Sequence, residues 1–136
     1  MKVEFTVRGL PPKKDGANSM WGKRGEAPRI RALRQEAANA FAGRSPLRKN
    51  IKLTLRAHVG PENTPRIGDL DNFLTGICDA LQAAHPRARV AEGSEYQIPP
   101  SQAVGIVDDA EVIEIRASKI IEPRTTPFYE IVLDGE

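Results

Sequence analysis

The chain has 136 residues, 40% of them hydrophobic and 28% charged, which suits one soluble domain over 1–136 with a core large enough to fold without staples. Cys78 is the only cysteine, so an internal disulfide and a thiolate zinc site are excluded and a reducing cytoplasm is the expected location; no long apolar stretch follows Lys2, Glu4 and Arg8, so neither a signal peptide nor a membrane span is expected. The formal charge of +2 is uneven: residues 1–60 hold 14 Lys/Arg against 4 Asp/Glu, and residues 61–136 hold 6 against 14.

That division suits a metal-dependent enzyme acting on nucleic acid, with Lys/Arg neutralising phosphates and carboxylates binding ions; charges interleaved on one mixed surface would give the same count. Only His58 and His85 are available as imidazoles, far apart on dissimilar segments, which gives a histidine-based site little support.

In chain order, Val3, Phe5 and Val7 alternate with polar neighbours and predict a strand over 2–8, ended by Gly9 and Pro11-Pro12. A long basic loop follows to about Ala27. Its Lys13, Lys14, Lys23 and Arg24 are candidate DNA contacts, and Trp21 is a candidate for stacking on a base or wedging into a junction, with burial against the core as the other outcome. Pro28 opens a helix running from Arg29 to Ala42 and closed by Gly43. Its apolar stripe is Ile30, Leu33, Ala37, Ala40 and Phe41, and Arg29, Arg31 and Arg34 near its start oppose the helix dipole and hint at a binding face.

A second strand, Ile51 to Val59, ends at Gly60-Pro61. The next helix is expected from Asp69 to about Ala84, with Leu70, Phe73, Leu74, Ile77 and Leu81 at helical spacing. Residues 85–103 contain three prolines and no clear period, and read as an extended or mobile excursion. A short strand at 104–107 leads to Asp108-Asp109. Strands over Val112–Lys119 and Phe128–Leu133 complete an α+β layer, a mixed sheet with two principal helices packed on it.

Two acidic clusters stand out: Asp69-Leu70-Asp71-Asn72 at the mouth of the second helix and Asp108-Asp109 ahead of a strand. Side chains two apart on a regular helix diverge by roughly 200°. Asp69 and Asp71 can therefore face one point only if Asp69 is an extended N-cap and Asp71 lies in the first turn. Asp108 and Asp109 leave an extended chain on opposite faces, so one of them is expected to join the site. An oxygen-rich pocket of this kind suits Mg2+ or Mn2+. Helix capping and turn formation account for the same residues without a metal.

The run Gly68-Asp69-Leu70-Asp71-Asn72-Phe73-Leu74-Thr75-Gly76-Ile77-Cys78-Asp79-Ala80-Leu81, then Val107-Asp108-Asp109-Ala110-Glu111-Val112, resembles the RusA family of Holliday junction resolvases, as does Pro11-Pro12 with Asn18 beyond it. The resemblance covers most of the chain in order. It implies a Mg2+-dependent homodimer that nicks four-way DNA junctions symmetrically in recombination and repair, with Asp69, Asp71 and Asp109 as the catalytic metal-binding acids and Asp108 beside them. It also implies a lysine one helical turn after the second acid, where this chain has Thr75, and a shorter link than 85–103. Lys13, Lys14, Lys23, Arg24 or Arg66 could bring the missing cation. The alternative reading is a branched-DNA-binding protein on the same scaffold that cleaves weakly or not at all because Thr75 replaces that lysine.

Overall fold

The computed structural model describes residues 1–14, 19–61, 70–123 and 126–136; Asn18, Arg66, Gly68 and Asp69 lie outside them. The architecture is α+β. Alternating apolar residues make β1 (Lys2–Arg8), β2 (Ile51–Val59) and β4 (Phe128–Asp134), each with one buried face. With β3 (Val112–Ile121) they form one sheet in the order β1-β4-β2-β3. β4 runs antiparallel to both β1 and β2, and β2 and β3 are parallel. A parallel pair needs a crossover, which α2 (Leu70–Leu81) supplies.

α1 (Ala27–Phe41) packs on the buried face of the sheet. It starts two residues before the expected Arg29, because Ala27 already has helical dihedrals behind the 3-10 turn Arg24–Glu26. Ala42 and Gly43, both at positive φ, end it. Ile30 and Leu33 are fully buried, each stabilising the fold by about 1.5–3 kcal/mol. α2 buries Phe73, Ile77 and Leu81 at helical spacing, as its sequence predicts.

α2 stops at Leu81, three residues short of the expected Ala84. The Leu81 carbonyl accepts hydrogen bonds from Val104 N and Gly105 N, at 3.0 and 3.1 Å, instead of from a further helical turn. Val104–Val107 is accordingly not a strand. Its only ladder contact among the described residues is an isolated parallel bridge from Ile106 to Leu47.

Arg34 corrects the expectation of an arginine binding face on α1. It is 1% exposed. One terminal nitrogen donates to Ala80 O and Gln82 O, at 2.7 and 3.0 Å, and the other to Pro99 O and Gln102 O, at 2.9 and 2.5 Å. The guanidinium thus ends α2 and pins the far side of the 85–103 excursion to α1. Burial lowers its pKa to about 10, so it stays charged at neutral pH. The excursion is a chain of turns tied down elsewhere as well, by Ala91 N to Trp21 O at 2.9 Å and by Ala84 N to Pro100 O at 2.7 Å.

The last expectation to change is β3. Its alternation predicts a buried face of Ile113, Ile115 and Ala117, yet Ile113 is 61% and Ile115 49% exposed. The strand lies at the end of the sheet, and a register shift between the partners of Ile51 and Lys52 leaves Ile113 without a partner on β2.

Candidate functional site

The chain leaving β1 crosses directly over α2 at Gly76. A Cβ there would overlap the Pro12 carbonyl and meet Lys13 N at 3.0 Å, so the crossing needs glycine. Pro11 and Pro12 are buried by it. Lys14 N then donates to Asn72 O at 3.3 Å, and Lys14 Nζ reaches Asp79 Oδ2 at 3.2 Å. Lys14 is therefore laid along α2 between the levels of Asn72 and Asp79.

Asp71, Thr75 and Asp79 stand at i, i+4 and i+8, on one face of the helix. About 12 Å of helix rise separates the first from the last. Asp71 is exposed in the first turn, and Thr75 Oγ1 donates to its carbonyl at 3.0 Å.

Asp108 and Asp109 divide their work. Asp108 has extended dihedrals and N-caps the 3-10 turn Asp109–Glu111, its Oδ1 accepting from Ala110 N at 2.9 Å. Asp109 N donates to Gln82 Oε1 at 3.2 Å, and Gln82 Nε2 donates to Cys78 O at 2.9 Å. The Gln82 amide is thus a bracket between α2 and the turn that carries Asp109. A concavity of about 510 Å3 results, lined by Lys14, Asp79, Gln82, His85 and Asp109 among others. Burial, and then the negative charges of Asp109 and Asp79, push the neighbouring Cys78 thiol up to about 12. That thiol is no nucleophile at neutral pH.

Of the expected site residues, Lys14 and Asp109 come together in this concavity, Asp71 lies toward the other end of α2, and Asp108 is a turn cap. Among the described residues no group of three or more His, Cys, Asp or Glu side chains is placed to hold a metal ion. Asp69 and Arg66 fall outside the described residues. Aspartate oxygens are the donors that Mg2+ and Mn2+ take, but Asp71 and Asp79 stand about 12 Å apart along α2 and Asp79 is held by Lys14.

The basic loop is packed more tightly than its composition suggests. Lys13 N donates to Glu26 Oε2 at 2.9 Å, Lys23 is half-buried between two 3-10 turns, and Arg24 donates to Glu92 O at 3.1 Å on the excursion. Trp21 is corrected as a base-stacking candidate. It is 4% exposed, edge-on to Tyr96 with centroids 5.4 Å apart, and Arg34 sits 5.2 Å from its ring centre. Its faces are used inside the protein.

Sequence reasoning missed Asp79 and Gln82. The i+4 spacing of Asp71, Thr75 and Asp79 was the available signal for Asp79; the role of Gln82 depends on a contact 27 residues away. The sequence matches no protein-family model and no curated protein. No helix among the described residues is long and apolar enough to cross a membrane.

Proposed function

We propose that this chain is a RusA-like endodeoxyribonuclease, dependent on Mg2+ or Mn2+, that works as a homodimer and resolves four-way DNA junctions by paired phosphodiester hydrolysis in recombination and repair. The observation that carries the reading is the position of the Lys14 ammonium on Asp79, beside Asp109, on the helix face that also presents Asp71 and Thr75. Lys14 supplies the cation that RusA-like chains carry at the position of Thr75.

In this reading Asp69, Asp71 and Asp109 would hold the ion, which would neutralise phosphate charge and activate water. Asp79 orients Lys14 toward the scissile phosphate, where its charge stabilises the oxyanion developing in the transition state. Gln82 fixes the turn that aims Asp109. Lys13, Lys23, Arg24 and Arg66 contact flanking phosphates and hold the junction in register.

Cleavage of branched and linear duplexes by wild type, Asp71→Asn and Lys14→Met tests this. Asp71→Asn should abolish cleavage with junction binding kept, and Lys14→Met should slow cleavage about 100-fold, the cost of removing one charge-stabilising donor. Equal cleavage by wild type and Asp71→Asn sinks the assignment.

The second reading, a junction-binding protein with little or no cleavage, is favoured by one observation. The Thr75 hydroxyl is occupied by the Asp71 carbonyl and brings no charge to the site. Salt-sensitive junction binding without nicking in any divalent ion, together with gain of cleavage in Thr75→Lys, selects it.

A further inference from the structure

Among the described residues, buried side-chain atoms without a hydrogen-bond partner are Arg34 Nε, Ser94 Oγ, Tyr96 Oη and Tyr129 Oη. Folded proteins leave few such atoms, because an unmet buried donor is costly. The first three gather in one place. Arg34 is on α1, and Ser94 and Tyr96 belong to the stretch of the 85–103 excursion that lies against it.

A concavity of about 700 Å3 separates these two segments, larger than the one of about 510 Å3 beside Asp109 and within the range that holds a small organic ligand. Arg31 and Arg34 line it from α1, and Tyr96 and Ile98 from the excursion. Ser94 stands between two further residues of the wall, Gly93 and Glu95.

The wall carries two positive charges that no carboxylate meets among the described residues. All the hydrogen bonds of Arg34 go to main-chain carbonyls, and Arg31 takes the main-chain oxygen of Glu95, at 3.5 Å, and not its carboxylate. Salt screens a buried charge such as Arg34 only weakly. Burial also raises the pKa of Tyr96, so its phenol keeps its proton and can donate.

The excursion and α1 thus offer three unmet donors backed by two cations. A carboxylate has two oxygens and a single charge. A phosphate monoester has three terminal oxygens and close to two negative charges at neutral pH, which matches the set.

We propose that the cleft between α1 and the excursion binds a phosphate monoester, its oxygens on Arg34 Nε, Ser94 Oγ, Tyr96 Oη and the Arg31 guanidinium, and its organic body against Ala32 and Ile98. The site does not rest on the nuclease reading. A free nucleotide and the 5′-phosphorylated end of a DNA strand present the same group. The three donor atoms are buried, so the ligand seats as the excursion shifts against α1. Trp21, edge-on to Tyr96 at 5.4 Å, should report that shift by its fluorescence.

Isothermal titration calorimetry of the whole protein, at fixed ionic strength, tests the site with AMP, adenosine, inorganic phosphate and a short DNA strand with or without its 5′-phosphate. AMP should bind one per chain with Kd of about 1 mM or tighter, inorganic phosphate more weakly and adenosine not at all. A 5′-phosphorylated strand that binds far more tightly than both AMP and its 5′-hydroxyl twin makes a DNA end the source. Equal affinity for AMP and that strand makes it a free nucleotide.

Arg31→Gln and Tyr96→Phe should each weaken AMP binding at least about tenfold. Neither should be less stable than wild type to urea without ligand, since Arg31 is exposed and the Tyr96 hydroxyl has no partner to lose. A purely structural hydroxyl would give the opposite pair of results. Arg31→Gln keeps the test open if Tyr96→Phe does not fold. Absence of saturable binding by AMP and by phosphate, adenosine binding as tightly as AMP, or unchanged affinity in the variants overturns the proposal. A protein that cuts junctions without binding AMP loses this site and keeps the nuclease, and one that binds AMP without cutting does the reverse.

Discussion

Replacing Arg34 with methionine should destabilise α1 through lost hydrogen bonds and not through lost packing. The aliphatic stem is retained, so little packing volume is lost, and what disappears is the fork that serves four main-chain carbonyls. The Ala80 carbonyl is fully buried and left without this donor, at a cost of about 1–3 kcal/mol, while the three partly buried carbonyls regain some water and cost about 0.5–1 kcal/mol each. Loss of the guanidinium from the Trp21 face removes about 1 kcal/mol more. Relief of the charge's own burial, visible in its lowered pKa, offsets part of that sum. The net destabilisation works out at about 3 kcal/mol. Urea unfolding followed by fluorescence of Trp21, the chain's only tryptophan, reads it directly. Arg34→Lys should fall between the two, because a lysine keeps the charge but not the planar fork. A variant Arg34→Met within 1 kcal/mol of wild type would refute the view that this side chain holds the end of α2 and the 85–103 excursion together.

Other outcomes follow from the site's geometry. Gly76→Ala should destabilise by about 2 kcal/mol in the same assay, because the Pro12–Lys14 backbone must lift off α2, and an unchanged midpoint would contradict that close approach. Asp79→Asn should separate stability from function: its ion pair with Lys14 is a quarter to a third exposed and stabilises by less than about 1 kcal/mol, whereas junction cleavage should fall at least tenfold. Cys78 should resist iodoacetamide at pH 8 until the protein unfolds. Its folded pKa is raised, so its contribution to stability is present below the ordinary thiol pKa of 9.0 and is lost as pH rises toward about 12. Cys78→Ala should therefore flatten the fall in stability across that window, and an identical slope in both proteins would refute the assignment.

Local periodicity made much of the fold legible. Strands β1 and β2 run between the residues their alternation marks, and the apolar spacing of α2 gives its buried face. The end of α2 was not legible, because it is decided by carbonyl contacts from Arg34 and Val104–Gly105, which lie far away in sequence. Burial of Trp21 likewise needs Tyr96, 75 positions later. An arginine at position 34 carries no mark in the sequence that separates a core clamp from a DNA contact. The alternation of β3 shows neither that the strand lies at the end of the sheet nor that its register shifts at Ile113, which is why Ile113 and Ile115 are exposed. In the site, the acidic mouth of α2 and the Asp pair before β3 were readable as motifs. That Asp108 caps while Asp109 faces the concavity depends on a single backbone turn, and that Lys14 lies on Asp79 depends on a glycine crossing.

The most direct test of the proposed chemistry is strand-specific cleavage of an end-labelled four-way junction by wild type and Asp109→Asn, with Mg2+, Mn2+ or EDTA. Wild type should leave paired nicks in opposing strands with either ion and none with EDTA, and Asp109→Asn should bind the junction without cutting it. Equal cutting by the two proteins, or intact junctions with wild type in every ion, would contradict the assignment of Asp109 and the nuclease function built on it.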